Sequence, residues 1–404
     1  MKLKIYKFGV QVMFIRTILS GTVLLAAFSI MAADWPVWRG VNGDGTTTET
    51  VSTFSDTPLW EMNVGSGYPA VSVCKGKLLT AGNKNDQDII YCLDAVTGKE
   101  IWNYTYKCNA NKSFPGPRAT PVTDGRNVYM VSREGDINCL DLNTGKLKWN
   151  KSRLASGNVK NLIWGICSSV LLYDGMAIVN IGGKGMAFNA ESGDPVWQSQ
   201  GEGNYSTPVV FSYNAKNYLA IFSAEKLLIL EPRTGNEIAA YPWKTKSNVN
   251  AADPLIIDGG TRIFISSNYG HGSALLNFDG ITLKKEWENT NLCCHFPTPM
   301  LIDGIIYGLN GGYKFCAIKL SDGSVCWQSK VNNGSFIKAG DKLVYLEENG
   351  NLKLIKPSAE KCDVIKSVKI PKMDSAKSAT MPVLAEGRIY CRNANGMLVC
   401  IAAK

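Results

Sequence analysis

Leu93-Asp94-Ala95-Val96-Thr97-Gly98-Lys99-Glu100-Ile101-Trp102 reads as the end of a strand, a tight turn at Thr97-Gly98-Lys99, and a new strand carrying a large aromatic. Leu140-Asp141-Leu142-Asn143-Thr144-Gly145-Lys146-Leu147-Lys148-Trp149 repeats it almost letter for letter. Weaker copies lie at 189–197, 231–239 and 319–327. In four of the five, a Trp stands four residues after the Gly. Self-similarity at a fixed period decides architecture ahead of any single motif.

Working outward from the turn, each copy holds short runs rich in Val, Ile, Leu and Tyr, bounded by Gly, Asn or Asp. The order is strand, D-G-like turn, strand, variable loop, strand, T-G-K-like turn, strand. Eight units follow one another at 69–104, 119–151, 167–199, 205–243, 252–289, 296–329, 334–368 and 379–404. Four antiparallel strands in about 40 residues is the pattern of a β-propeller blade. The last unit stops after three strands, whereas Pro58-Leu59-Trp60-Glu61-Met62-Asn63-Val64 is an orphan strand with its own Trp. The expected fold is therefore all-β, a single eight-bladed propeller over 58–404. The N-terminal strand at about 58–64 completes the last blade, which closes the ring and removes its free edges. Trp60, Trp102, Trp149, Trp197, Trp287 and Trp327 are expected to cover blade junctions. The fourth and seventh units lack this Trp, with Ala239 and with Val364 or Ile365 in its place, so weaker stapling is expected there.

The N-terminus has a different composition. Lys2, Lys4, Lys7 and Arg16 precede the apolar run 18–30, and Ala32 and Ala33 stand just before Asp34. This predicts a secretory signal peptide over 1–33, starting at Met1 or Met13, then an extension over 34–57. The run is short of the ~20 residues that a membrane span needs. The mature chain is expected to be periplasmic or secreted, without an integral span, and monomeric. Removing the four cations of 1–33 lowers the net charge from +9 to +5. No concentrated basic stripe remains, which argues against nucleic acid as partner.

The sequence has twelve Cys and two His, with no C-x-x-C, so neither a metal site nor covalent haem is expected. Cys92, Cys139, Ala187, Ala317 and Cys400 share one repeat position, which reads as a small buried site. Cys293-Cys294 reads as two free thiols on opposite sides of an extended segment, with an adjacent-residue disulfide as the alternative. If Asn395-Gly396 is a two-residue hairpin turn, Cys391 and Cys400 lie opposite each other at disulfide distance.

In such a meander the first-to-second and third-to-fourth turns share one face, and here they are monotonous. The other face collects irregular loops at 83–88, 107–118, 133–136, 161–165, 245–253, 269–272, 292–296 and 311–314. Loops on a rigid scaffold are where binding residues concentrate. This nominates Arg118, Arg133, Trp164, Lys244, Asn250, Asp253, His271, His295 and Lys314 as candidate binding residues. Arg118, Arg133, Lys244, Lys314 and Lys338 would give the mouth a cationic lining suited to an anionic ligand. His271 and His295 cannot hold a metal alone, and Asp253 is the side chain that could join them. No nucleophile motif is present, so no catalytic residue is assigned.

The repeats resemble the pyrroloquinoline quinone (PQQ)-like propeller repeat, A-x-D-x-x-T-G-K-x-x-W. A closer resemblance is to a group of exported bacterial propellers. It rests on Asp34-Trp35-Pro36-Val37-Trp38-Arg39-Gly40 with Asp44-Gly45, Gly116-Pro117-Arg118-Ala119-Thr120-Pro121, Trp243-Lys244-Thr245, Val249-Asn250-Ala251-Ala252-Asp253-Pro254, Gly270-His271-Gly272 and His295-Phe296. Two related groups imply different functions. The scaffold propeller of the outer-membrane barrel-assembly machine implies non-catalytic binding of an envelope protein or ligand on the loop-rich face, with no cofactor. The quinoprotein alcohol dehydrogenases imply PQQ with calcium, where Arg118 and Trp164 would contact the quinone. Their long insertions are lacking here, and their calcium ligands and catalytic Asp have no match in this sequence. Scaffold or partner binding is the expected function, the dehydrogenase is the alternative, and a small-molecule or glycan sensor is the second alternative.

Overall fold

Eight four-stranded antiparallel sheets follow one another along the chain, spanning 72–107, 122–152, 171–197, 209–242, 255–289, 300–330, 334–369 and, last, 383–403 with Phe54–Asn63. They are blades 1 to 8 of a propeller. This computed structural model describes residues 33–108, 114–152, 159–373 and 380–404. The expected signal peptide lies, apart from Ala33, outside the described residues. Among the described residues, helix is confined to the short turn Asp258–Gly260.

Burial follows strand position. Second strands such as Lys342–Glu347 and third strands such as Lys226–Leu230 are buried almost throughout, because each blade is sandwiched between two neighbours. Outermost strands such as Glu100–Lys107 alternate exposed and covered residues, with one face toward solvent. Blade 8 takes its outermost strand, Phe54–Asn63, from the start of the chain, pairing Trp60 with Cys400 and Asn63 with Met397. That strand begins four residues earlier than the sequence pattern suggested.

The repeated turn and the Trp turn out to be two halves of one joint. The indole Nε1 of Trp102 donates to the Leu142 carbonyl of the next blade at 2.9 Å. Trp149 reaches Ala190 (3.0 Å), Trp197 reaches Pro232 (2.9 Å), Trp287 reaches Leu320 (2.8 Å), Trp327 reaches Ser358 (2.8 Å) and Trp60 reaches Ala95 (3.3 Å). The shared Cys/Ala position faces the Trp across the sheet, as in Cys92–Trp102, Cys139–Trp149, Ala187–Trp197, Ala317–Trp327 and Cys400–Trp60. A small side chain opposite a large ring keeps the blade thin enough to stack.

The two junctions without Trp are filled by other means. At blade 4, Phe211, Tyr213 and Tyr218 meet Phe278 of blade 5 at ring separations of 5.0–5.7 Å. At blade 7 the residue in the Trp register is Lys366, opposite Leu354, and not Val364 or Ile365. A register shift between Leu354 and Ile355, set where every third-to-fourth pairing bulges, moves the position by two residues. Lys366 Nζ donates to the Phe54 carbonyl at 2.7 Å.

The pairing proposed for Cys391 and Cys400 is corrected. Arg392 pairs with Leu398, and Asn393 N donates to the Met397 carbonyl, leaving a three-residue loop of Ala394, Asn395 and Gly396 with Gly396 at φ +91°. The extra loop residue slips the register by one, so Cys391 faces Val399 and Cys400 faces Tyr390. Their side chains leave opposite faces of the sheet and cannot bridge. All twelve cysteines, Cys293 and Cys294 included, are free thiols.

The extension before the closing strand occupies the middle of the ring. Trp35 bridges to Val73 of blade 1, and Thr123 N of blade 2 donates to the Pro36 carbonyl. Trp38 and Arg39 meet Asp253 at the entry to blade 5, and Thr46–Thr47 runs parallel to Lys338 and Ala339 of blade 7. Glu49 accepts from the first turn of blade 8. Thr46–Thr47 and Trp35 pair with the innermost strands of blades 7 and 1, which places the segment on the channel side of the sheets.

Candidate functional site

Where the extension meets the irregular loops, a cavity of about 450 Å³ opens at the loop-rich end of the channel. Its large side chains are mostly aromatic: Trp38, Tyr68, Phe114, Trp164, Tyr205, Tyr269, Phe296 and Phe336. The charged side chains lining it are Arg39, Arg118, Asp253 and Glu348.

Asp253 precedes the innermost strand of blade 5 and joins the N-terminal extension, the plug of the channel, to the ring. Its Oδ2 accepts Trp38 Nε1 at 2.8 Å, its Oδ1 accepts Thr207 N at 2.7 Å, and Arg39 Nη1 stands 3.9 Å away. Burial raises the Asp253 pKa, and Arg39 with these hydrogen bonds opposes the rise. Burial likewise lowers the pKa of Arg39, against the pull of Asp253 and Asp44. The pair forms part of the cavity floor.

Arg118 forms part of the wall. Its Nε donates to the Trp164 carbonyl at 2.9 Å, Nη1 to Gly116 at 3.2 Å and Nη2 to Phe114 at 2.8 Å. The guanidinium lies over Tyr68 at 4.7 Å. All three nitrogens are thus used to hold two loops together. Trp164 is positioned by this bond and packs against Tyr205 at 5.8 Å.

His295 stacks on Phe296 at 3.8 Å, and its Nε2 lies 3.3 Å from the Tyr269 hydroxyl. Burial lowers its pKa to about 4, so the imidazole is neutral near pH 7. Phe296 itself is 57% exposed and Tyr269 48% exposed, which places apolar surface at the rim.

Of the nine candidate residues, the structure brings Arg118, Trp164, Asp253 and His295 together. Asn250 is buried in the scaffold, with Nδ2 on the Ser223 carbonyl and Oδ1 accepting from Ser267. His271 packs edge-on against Trp243 at 4.4 Å, away from the cavity. Arg133 pairs with Glu134 and Lys244 with Glu225, both outside the lining. Lys314 and Lys338 are also outside it, and Lys338 faces a shallow groove between blades 6 and 7. The expected cationic lining is therefore replaced by an aromatic one with Arg118 in its wall. Asp253, His271 and His295 do not form a metal cluster, and no group of three or more His, Cys, Asp or Glu suited to a metal occurs among the described residues.

Sequence reasoning missed Trp38, Arg39, Tyr68, Tyr269 and Phe296 as lining residues. Trp38 and Arg39 lie inside the Asp34-to-Gly40 motif, which was a usable signal. Phe296 likewise stands in the His295-Phe296 motif, whereas Tyr269 was visible only as an aromatic in an irregular loop and Tyr68 only as the residue before the first unit.

Fold and site together define an eight-bladed propeller of Trp-docked PQQ-like repeats with an aromatic cavity at its channel mouth. The chain belongs to the family described as outer membrane protein assembly factor BamB, whose model matches residues 47–153 and 107–329. It is 22% identical over 361 residues to outer membrane protein assembly factor BamB of Burkholderia pseudomallei (strain K96243), covering 82% of this chain and 84% of the relative. Among solved structures it resembles BamB from Moraxella catarrhalis, with a TM-score of 0.62, 15% identity, and coverage of 87% of this chain and 98% of that one. It also resembles the quinohemoprotein alcohol dehydrogenase from Comamonas testosteroni, with a TM-score of 0.66, 12% identity, and coverage of 91% and 80%. At these identities the solved structures speak for the fold alone.

Proposed function

We propose that this protein is a non-catalytic scaffold of the cell envelope that binds an apolar segment of a protein partner at the channel mouth. The observation that carries this reading is the rim. Phe114, Tyr269 and Phe296 are 38%, 48% and 57% exposed around an aromatic cavity, and Ile163, next to Trp164, is 74% exposed. Exposed aromatics grouped around a concave site favour a protein contact. Arg118 has three of its five N–H donors committed to carbonyls, and aromatic side chains outnumber charged ones in the lining. Membership of the BamB family supports the same reading, as does the signal-like segment for an extracytoplasmic location. Among the described residues no helix is long and apolar enough to cross a membrane.

The donor set gives no support to a calcium-held quinone. Asp253 is taken by Trp38, Thr207 and Arg39, and Glu348 is held by Asn333. Trp38 and Arg39 line the same cavity, with the Trp38 indole bonded to Asp253 and Arg39 paired with it.

The test is site-specific photo-crosslinking in cells. A benzophenone amino acid at position 296 should give one dominant protein adduct, and the same group at Val325, on an outermost strand, should not. Reconstitution with PQQ and calcium provides the opposing outcome. A tight complex with a quinone absorbance band and dye-linked alcohol oxidation would overturn the scaffold reading.

A further inference from the structure

The segment that plugs the channel is anchored residue by residue from Ala33 onward. Ala33 N donates to Glu49 Oε1 at 2.8 Å. Lys75 N donates to Asp34 Oδ1 at 3.1 Å, and Trp35 exchanges backbone hydrogen bonds with Val73 at 2.8 and 2.9 Å. The Glu49 carboxylate is the unusual member. Glu49 is 8% exposed, and its oxygens also accept Glu386 N at 2.8 Å and Gly387 N at 2.9 Å. Among the described residues no Lys or Arg forms an ion pair with it. Three backbone amides solvate the carboxylate but leave its charge uncompensated, and a buried charge without a counter-charge is costly.

The sequence supplies the missing cation. Ala32 and Ala33 end a basic-then-apolar segment of secretory form. We infer that processing cuts between Ala32 and Ala33, and that the new α-ammonium of Ala33 pairs with Glu49 and holds the plug in the channel. Hydrolysis adds one water across the Ala32–Ala33 bond. The carboxylate stays on the released Ala32, and the freed amine of Ala33 takes up a proton. An amide offering one donor becomes an ammonium offering three donors and a full charge, placed on the buried carboxylate. Trp38 and Arg39, six residues or fewer from that anchor, are the floor of the cavity. The mouth site is therefore completed by maturation. The inference rests on the export reading, and it keeps Ala33 in the mature chain, one residue more than the sequence pattern alone assigned.

The test begins with the full-length chain expressed with its own leader in a bacterium and recovered from the envelope fraction. Intact mass and N-terminal sequencing should give Ala33. A mature start at Asp34 or any other residue overturns the inference while export stands, whereas a retained leader overturns both. The second measurement is titration of the Ala33 α-amine by NMR. Its midpoint should rise from the ordinary value of about 8 to above about 9. Glu49→Gln should return it toward 8. In a chain with one extra Gly before Ala33 the α-amine belongs to that Gly, stands away from Glu49 and should titrate near about 8, which serves if Glu49→Gln fails to fold. An ordinary midpoint in the unmodified mature protein overturns the pairing.

Discussion

The ring of Trp102 lies on the α-carbon of Gly145 so closely that a β-carbon there would stand 2.6 Å from it. Gly145 also sits at φ +69°, a conformation that L side chains rarely adopt. The turn glycine of one blade is thus the seat for the Trp of the preceding blade. The same close contact recurs at Gly98 under Trp60, Gly193 under Trp149 and Gly235 under Trp197. Gly145→Ala should therefore cost more than backbone strain, about 2–4 kcal/mol when strain and overpacking combine. Gly175→Ala is the control, because φ is +73° there and nothing lies within 4 Å. It should lose only about 1–2 kcal/mol. Equal losses in urea unfolding would show that the Trp seat carries no energy.

Lys366 replaces a Trp at the joint between blade 7 and the closing strand. Its Nζ donates to the Phe54 carbonyl, lies 2.8 Å from Asp56 and sits 5.4 Å over the Phe54 ring. The Asp56 contact is exposed and contributes little. Lys366→Ala should lose about 1.5–3 kcal/mol, the range for a charge-assisted hydrogen bond. Asp56→Ala should lose less than about 1 kcal/mol. Chemical denaturation of both variants checks the order.

The repeat made the fold legible, because a fixed period exposes itself in any part of the chain. Even the Cys/Ala alternation at Cys92 and Ala187 was readable as a size constraint, although its partner, the facing Trp, was not. Register was harder. Asn395-Gly396 looks like a two-residue turn, and only the three-dimensional course of the chain shows Ala394 joining the loop. Lys366 was hidden by the bulge that displaces it from Val364. The binding face was legible as a face but not as a list of residues. Asp253 and His295 point into the cavity, whereas Asn250, three residues before Asp253, is consumed by scaffold carbonyls. Loop side chains take directions that repeat spacing does not encode.

The register correction makes a chemical prediction. Thiol titration of the denatured, unreduced protein should count twelve thiols per chain. A count of ten, with a peptide linking Cys391 to Cys400 in a non-reducing digest, would restore the two-residue turn and displace the pairing of Cys391 with Val399.

His295 should make the protein sensitive to acid. Its imidazole is held near pKa 4 by burial, against about 6.5 in the unfolded chain. Between those values the unfolded state binds more protons than the folded state, so stability rises with pH across that window and is lost on acidification from 6.5 toward 4. His295→Gln should flatten this part of the profile while leaving stability near pH 7 less affected. Urea midpoints at pH 7 and pH 4.5 for both proteins test it, and parallel losses would assign the acid sensitivity to other groups.

The floor of the cavity is set by Asp253, and its removal should be felt through Arg39. Both side chains are nearly inaccessible, at 4% and 3% exposure. Asp253→Asn keeps most of the volume and one acceptor for Trp38 or Thr207, but strands a buried guanidinium. Breaking one side of a buried pair costs about 3–5 kcal/mol. Arg39→Met alone strands the carboxylate, which can relieve itself by taking a proton, as its raised pKa already favours. Arg39→Met should therefore cost less than Asp253→Asn near pH 7, and the gap should narrow as pH rises and protonation becomes harder. The double variant, with neither charge present, should be more stable than Asp253→Asn alone. A double variant that loses the full sum of the single losses would mean that the two residues support the plug independently, and that Trp38 rather than the ion pair fixes the floor.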